Sequence, residues 1–304
     1  MSQLVEETSP NLVNVVVRVH SWVVMIKRKK CIYTIENVEG LFSTYNSLLA
    51  FLDYCLTNGY VPFTRTTDQF LYKTSDDHER HLDYFFSLSE IYEEEYEIDG
   101  EVYINNSTLY RNKSYMRYPK DIPRSIEIRK YNYKLSSYIH IRKDIIDEAD
   151  VFFKNNFENK RVIGAHIRCT DRMYQLINYT KTDTNGSIEL YKKHIIDNFP
   201  CDYVYIATDD SFIIPMLKMY RSLKNKLIYR NVIRSSDGYP IHFKNHEGMQ
   251  LGTEVLIDAL ILSRCDHLIC SYSSIASAVL CWNPYLPYTN LAHMVTDTHD
   301  FFGK

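Results

Sequence analysis

Short hydrophobic runs alternate with amphipathic segments through the second half of this 304-residue chain, and that order limits the folds open to it. Apolar spacing predicts a helix at 143–157, then strands at 161–167, 203–207, 226–230 and 267–271, with helices at 187–198, 212–223, 252–263 and from about 274. Strands that alternate with helices imply right-handed crossovers. The second half therefore predicts an α/β fold with a parallel, doubly wound sheet.

The first half also opens as an α/β unit. Residues 13–26, 31–35 and 60–63 are strand-like, and a helix is predicted from Gly40 to about Leu56, with Asn58-Gly59 suited to a left-handed cap. Residues 64–139 are rich in tyrosine and charge and have little periodicity, which predicts helices and loops. Because the length suggests two domains, we expect a division into 1–142 and 143–304.

Composition narrows the class of protein. A hydrophobic content of 45% is ample for packed cores, and a net charge of -3 gives no support to nucleic-acid binding. The seven cysteines are odd in number and form no Cys-x-x-Cys pair, which favours reduced thiols and argues against zinc. Neither a secretory signal nor an apolar segment of membrane-spanning length is visible, so we expect a cytoplasmic protein without a membrane anchor.

The stretch 164–172 places a histidine, two arginines and an aspartate on the loop after the first predicted strand of the second half. In open α/β sheets, ligands bind in the crevice beyond the carboxyl ends of the strands. Arginine suits a phosphate there because its planar fork is always charged and can bond two oxygens at once. The alternative is a strand that ends in solvated charges.

Two later segments carry polar groups in equivalent places. The strand that ends at Ala207 is followed by Thr208-Asp209-Asp210, in which Asp210 is also a good helix N-cap. Asp258 interrupts an apolar helix, so it should either reach a ligand or pair with an internal cation. The serines of 271–274 precede a helix, where they form either an anion site or an ordinary N-cap.

Common phosphate-binding and hydrolytic motifs are absent from the sequence. It has no Gly-x-Gly-x-x-Gly after a strand, no P-loop, no His-Glu-x-x-His and no Gly-x-Ser-x-Gly. It also lacks the Asp-x-Asp with which many sugar transferases hold a divalent metal. Phosphate chemistry in this chain would therefore depend on arginines and backbone amides.

Together these motifs resemble the α1,6-fucosyltransferase superfamily, which includes nodulation-factor fucosyltransferases and relatives of the α1,2- and protein O-fucosyltransferases. The resemblance covers residues 139 to about 280, through the segments 166–172, 205–210 and 256–274. Gly40-Leu41-Phe42 followed by Asn46 is a weaker match to the family's glycine loop. The resemblance implies a GT-B architecture, in which two Rossmann-like domains face a cleft. The domain at 1–142 would lie on the acceptor side, and 143–304 would bind the nucleotide sugar.

The resemblance also implies an inverting transfer of fucose from GDP-fucose to a glycan hydroxyl, with no metal or other cofactor. In that family pattern Arg168 is the catalytic cation on the β-phosphate. Among the donor-binding residues, His166 and Asp258 would contact guanosine, and Ser273 and Ser274 would bond the diphosphate. Asp209 and Asp210 would support the cleft, and Gly40 and Asn46 belong to the glycine loop. The chemistry agrees, because an arginine beside departing GDP stabilises developing charge. A carboxylate can likewise accept the two neighbouring N–H groups of a guanine edge.

The sequence departs from the family pattern at two positions. The usual pair of arginines is Arg168-Cys169 here, and Leu176 stands where one family member carries a glutamate proposed as base. The candidate bases are then Asp183, His246 and Glu247 on predicted loops. A same-fold transferase for another nucleotide sugar and an inactive glycan-binding relative remain alternatives.

Overall fold

The computed structural model describes residues 25–35, 40–73, 80–111, 125–170, 177, 184–197, 200–244 and 248–294. The strands are β1 (Ile26–Ile35), β2 (Val61–Thr66), β3 (Phe86–Leu88), β4 (Tyr96–Ile104), β5 (Ile139–Ile141), β6 (Val162–Ile167), β7 (Tyr203–Thr208), β8 (Leu227–Ile228), β9 (His267–Cys270) and β10 (Tyr288–Asn290). The α-helices are α1 (Leu41–Asn58), α2 (Asn106–Arg111), α3 (Ile126–Ser136), α4 (Lys143–Phe157), α5 (Thr184–Asp197), α6 (Ile213–Lys218), α7 (Gly248–Ser263), α8 (Ser274–Trp282) and α9 (Leu291–Met294).

The second half contains the predicted parallel sheet. Its five strands lie in the order β10-β9-β6-β7-β8, and all neighbouring pairs are parallel. The central strand β6 is buried along its whole length, as a strand covered on both faces should be. Helix α4 has the predicted bounds. Helix α6 is shorter than predicted because the charged, aperiodic stretch 219–226 folds as turns, and β8 is shorter because residues 229 and 230 do not pair with the sheet.

The first half contains a three-stranded parallel sheet in the order β2-β1-β4. Helix α1 connects β1 to β2 and ends at Gly59, whose φ of 70° is the predicted left-handed cap. The expectation of helices and loops alone for 64–139 is wrong, because residues 96–104 form β4 beside β1. Residues 96–99 alternate between apolar and polar side chains, but Gly100 interrupts the pattern after four residues, so the sequence marks this strand only weakly. Most side chains of β4 are exposed or half-buried.

Contacts between α1 and α8 join the two halves beside the sheet edges. The indole Nε1 of Trp282 donates a hydrogen bond to the Tyr45 hydroxyl at 2.7 Å, and Asn46 Nδ2 donates one to the carbonyl of Ser274 at 3.3 Å. One cluster of buried apolar side chains includes residues of both sheets. The domain boundary at residue 142 stays a prediction.

The state of the cysteines and the length of the helices bear on the cellular location expected from the sequence. All seven cysteines are free thiols, and six of them are buried. Among the described residues, no helix combines the length and apolar character needed to cross a membrane.

Gly252 lies where α7 packs against the first half of the chain. A Cβ atom there would lie 2.5 Å from Cζ of Phe85, whose ring is fully buried and cannot move aside freely. Gly252→Ala should therefore lower the free energy of unfolding by about 1–3 kcal/mol in urea denaturation, as overpacking commonly does. Gly40→Ala is the control, since its Cβ would meet only the Tyr72 hydroxyl at 3.7 Å. Equal stability of the two variants would contradict the close packing of α7.

Candidate active site

The three polar motifs meet at one edge of the five-stranded sheet. Strands β9, β6 and β7 are parallel neighbours, so the segments that follow them leave from the same, carboxyl edge. These segments carry Arg168 after β6, Asp209 after β7 and the serines 271–274 after β9. The crevice predicted beyond the strand ends is therefore the place where these residues come together.

Asp209 holds the loop that carries Arg168. Its carboxylate accepts hydrogen bonds from the Cys169 backbone N–H at 2.8 Å and from Thr170 Oγ1 at 2.6 Å. The Arg168 Nε lies 3.9 Å from the same carboxylate, and about a fifth of each side chain remains exposed. Asp209 thus holds the two residues that follow Arg168 and keeps the Arg168 guanidinium at the sheet edge.

His166 is buried two residues before Arg168. Its Nδ1 is shielded from solvent and finds no hydrogen-bond partner within the described part of the chain. Burial, reinforced by the positive charge of Arg168, lowers the pKa of His166 to about 4, so the ring is neutral near pH 7. Buried polar atoms are nearly always paired in native proteins, so this nitrogen calls for a partner such as a water, an ion or a ligand.

The buried state of His166 makes stability depend on pH. The folded chain releases its proton near pH 4 and the unfolded chain near pH 6.5, so the unfolded state binds more protons in between. The free energy of unfolding should fall as the pH drops through this interval, with roughly 3 kcal/mol attributable to this group. His166→Gln should flatten the dependence measured by urea denaturation. His267, whose pKa is also lowered to about 4, gives a matched comparison in His267→Gln. An unchanged slope in the His166 variant would contradict the assignment.

Asp258 pairs with an internal cation, which is one of the two alternatives left by the sequence. Its Oδ1 accepts hydrogen bonds from the Tyr205 hydroxyl at 2.7 Å and from Arg230 Nη1 at 3.2 Å. Burial raises the pKa of Asp258, and the Arg230 guanidinium works against that rise. Arg230 also bonds the carbonyl of Glu254 and the carboxylate of Glu148. Both bonds to Asp258 fall on one carboxylate oxygen.

Sequence analysis did not identify two arginines near the site, Arg230 and Arg234. Arg230 lies in a predicted strand, and the only indication of its role was that a buried Asp258 would need a partner. Arg234 donates to the carbonyls of Thr208 and Arg230 at the end of β7, and its charge also acts on Asp258. Positive charge at the carboxyl edge therefore comes from separate segments, although Cys169 replaces the second arginine of the family pattern.

Several predicted donor-binding residues have structural partners. Ser273 Oγ accepts a hydrogen bond from the Ile275 N–H and caps α8, while Asp210 Oδ1 accepts one from the Phe212 N–H and caps the turn before α6. Asn46 Nδ2 donates a hydrogen bond to the carbonyl of Ser274, the first residue of α8. The carbonyl of Gly40 accepts a hydrogen bond from the Ser43 N–H at the start of α1. The cap alternatives are thus present in the structure, and the donor-binding roles stay predictions.

Tyr72 lies beside the Gly40 loop and within the electrostatic influence of Arg168, and sequence reasoning missed it. Burial raises the pKa of Tyr72, while a hydrogen bond from the Leu41 backbone and the positive charge of Arg168 work in the opposite direction. Its hydroxyl therefore lies at the start of α1 and near the catalytic candidate. Its sequence neighbourhood is irregular and contains no motif that could have marked it.

The candidate bases Asp183, His246 and Glu247 lie outside the described residues, as do Asp171, Arg172 and Leu176. Within the described ranges, no group of three or more His, Cys, Asp or Glu side chains is arranged to hold a metal ion.

The architecture is that of the GT-B fucosyltransferases, the fold class predicted from the sequence. Fucosyltransferase NodZ from Bradyrhizobium is 14% identical, with a TM-score of 0.51 over 86% of this chain and 96% of that one. A selenomethionine form of NodZ gives 0.50 over 86% and 94%. POFUT1 in complex with GDP-fucose is 9% identical, with a TM-score of 0.49 over 86% of this chain and 97% of that one. No family model and no curated protein matches the sequence.

Proposed function

We propose that this protein is a glycosyltransferase that moves fucose from GDP-fucose to a glycan hydroxyl, with inversion and without a metal. The observation that carries the proposal is the Arg168 loop, which Asp209 clamps at the carboxyl edge beside the orphaned ring nitrogen of His166. The fold, shared with fucosyltransferase NodZ, and the family resemblance of the three motifs support the same reaction.

In this proposal the nucleotide lies along the carboxyl edge. His166 lies on the same sheet face as Tyr205, the hydrogen-bond partner of Asp258, and on that face His166 and Asp258 would contact guanosine. The diphosphate would lie at the start of α8, where Ser273 and Ser274 offer hydroxyls and the helix offers backbone N–H groups. Arg168 would bind the β-phosphate, Asp209 and Asp210 would support the cleft, and the Gly40 and Asn46 side of α1 would close it.

Departure of GDP is the step that the described residues can assist. Negative charge grows on the β-phosphate oxygen as the bond to the sugar breaks, and the held guanidinium of Arg168 stabilises it without having to reorganise. The acceptor hydroxyl attacks the opposite face of the anomeric carbon and loses its proton. Asp183, His246 and Glu247 remain the candidate bases, and we propose that none of them alone is indispensable.

Binding of nucleotides separates this proposal from its alternatives. GDP should bind in the presence of EDTA and more tightly than UDP, because only guanine offers adjacent N–H donors to a carboxylate. At about 100 times its dissociation constant, GDP should stabilise the fold by roughly 2.7 kcal/mol in thermal or urea unfolding. Calorimetry with both nucleotides measures the preference directly. A preference for UDP would favour another nucleotide sugar, and a strict manganese requirement would contradict the metal-free reaction.

A further inference from the structure

The segment 235–244, here called the rim, begins beside the candidate active site at Ser235. At one end, the Ser235 N–H donates to the carbonyl of Asp209 at 2.8 Å, and the Ser235 carbonyl accepts from the Ser211 N–H at 2.9 Å. Beyond the other end, Gly248 packs so closely on the backbone of 71–73 that a Cβ atom would lie 2.5 Å from the Leu71 carbonyl oxygen. The rim is therefore bonded at Ser235 to the strand end that positions Arg168, and Gly248, four positions after Lys244, packs on the segment that carries Tyr72.

Two aromatic rings project from this rim into solvent. Tyr239 is 55% exposed and Phe243 is 49% exposed, and their ring centroids lie 6.3 Å apart at an interplanar angle of 55°. An adjacent pair of exposed rings beside a site marks a binding surface more often than isolated apolar residues do.

The backbone that presents these rings is held in place before any ligand arrives. Asp237 Oδ1 accepts hydrogen bonds from Ser235 Oγ at 2.9 Å, from the Tyr239 N–H at 3.1 Å and from Lys244 Nζ at 2.5 Å. Pro240 and Ile241 are buried beneath the segment. A surface fixed in this way loses little conformational entropy when it binds.

The polar group beside the rings is a charged carboxylate. Lys244, together with the bonds from Tyr239 and Ser235, lowers the pKa of Asp237 to about 2, so it is ionised throughout the working range. Its side chain is 60% exposed although all three bonds fall on Oδ1. Because Lys244 balances its charge, the surface favours a neutral ligand that has hydroxyl donors over an anionic one.

We propose that Tyr239, Phe243 and Asp237 form a platform for the acceptor saccharide. The C–H face of a sugar ring would stack on the two rings, and its hydroxyls would donate to the Asp237 carboxylate. This inference rests on the proposed function, since it names acceptor-binding residues for that reaction, and it places them in the second half of the chain rather than in 1–142. Tyr239 is four residues from Ser235, at most about 14 Å along the chain. That separation suits an oligosaccharide, with one unit on the platform and another at the donor.

The test uses the full chain, fluorescently labelled, on a printed array of defined neutral oligosaccharides with saturating GDP. Wild type should bind a subset of the array, and a Tyr239→Ala, Phe243→Ala double variant should need at least 10-fold more protein for half-saturation. Tyr239→Phe keeps the ring and should retain most of the binding. Tyr285→Ala is the matched control, because Tyr285 is 69% exposed but precedes β10 at the opposite edge of the sheet.

Calorimetry with GDP separates the two proposals. If wild type fails to bind GDP, the proposed function falls. If GDP binds normally but the array stays empty, or the double variant binds it as wild type does, the platform is overturned. Self-association of wild type that is lost in the double variant would assign the rings to a contact between copies and would also overturn it.

Discussion

Arg168→Ala is expected to lose at least about 100-fold in turnover with GDP-fucose, because removing one preorganised donor from a developing negative charge typically costs that much. The guanidinium lies at the carboxyl edge of β6, on a loop clamped by Asp209. Its own contact with Asp209 is 3.9 Å long and partly exposed, so the loss of that contact should change stability little. The variant should therefore be folded and inactive.

Lysine at the same position should restore only part of the activity, because a point charge cannot make the two parallel bonds of the arginine fork. Arg221→Ala provides the control, since Arg221 is an exposed arginine in the turns after α6. Turnover, GDP affinity and urea unfolding should be measured on all three variants. Near-normal turnover of Arg168→Ala would remove this residue from the reaction.

Asp258→Ala is expected to lower the free energy of unfolding by about 3–5 kcal/mol, the usual cost of removing one partner from a buried ion pair. The substitution leaves Arg230 and the Tyr205 hydroxyl without the acceptor that both now share. Asp258→Asn keeps the shape and an acceptor oxygen, so its loss should be smaller. Its amide N–H groups would face the N–H groups of guanine, and GDP affinity should fall by at least about tenfold.

Tyr205→Phe separates the structural and ligand-binding roles of this carboxylate. It removes the 2.7 Å hydrogen bond but keeps Asp258 and its charge. Stability should fall by about 1–3 kcal/mol, since the hydroxyl bonds a charged group, while GDP affinity stays within a factor of about two. If Asp258→Asn is destabilised yet binds GDP as wild type does, Asp258 is a structural partner of Arg230 alone.

The sequence predicts the second half well because its signals are local. Helix α4 is amphipathic over its whole length, and β6, β7 and β9 are apolar runs that end in polar residues. Parallel strand order then places Arg168, Asp209 and the α8 start at one edge. Strand β4 is not predicted, because its apolar alternation is short and interrupted at Gly100, and its pairing with β1 is visible only in the folded chain.

The partners of the site residues could not be read from the sequence. The position of Asp258 in an apolar helix indicated that it needs a ligand or a cation. However, 28 positions separate it from Arg230, and only the folded chain brings the two residues together. The role of Tyr72 likewise follows from its hydrogen bond with the Leu41 backbone at the start of α1 and from the electrostatic effect of Arg168. Such contacts depend on how the two sheets are packed, which periodicity and local motifs do not encode.

Transfer of labelled fucose tests the central claim most directly. Wild type and Arg168→Ala would be incubated with GDP-fucose labelled in the sugar, a neutral oligosaccharide array and EDTA, with labelled UDP-glucose in parallel. Wild type should move label from GDP-fucose to at least one saccharide and release GDP. Arg168→Ala should do so at least about 100-fold more slowly, and UDP-glucose should give no transfer. Transfer from UDP-glucose alone, or from GDP-fucose at equal rates in both proteins, would contradict the central claim.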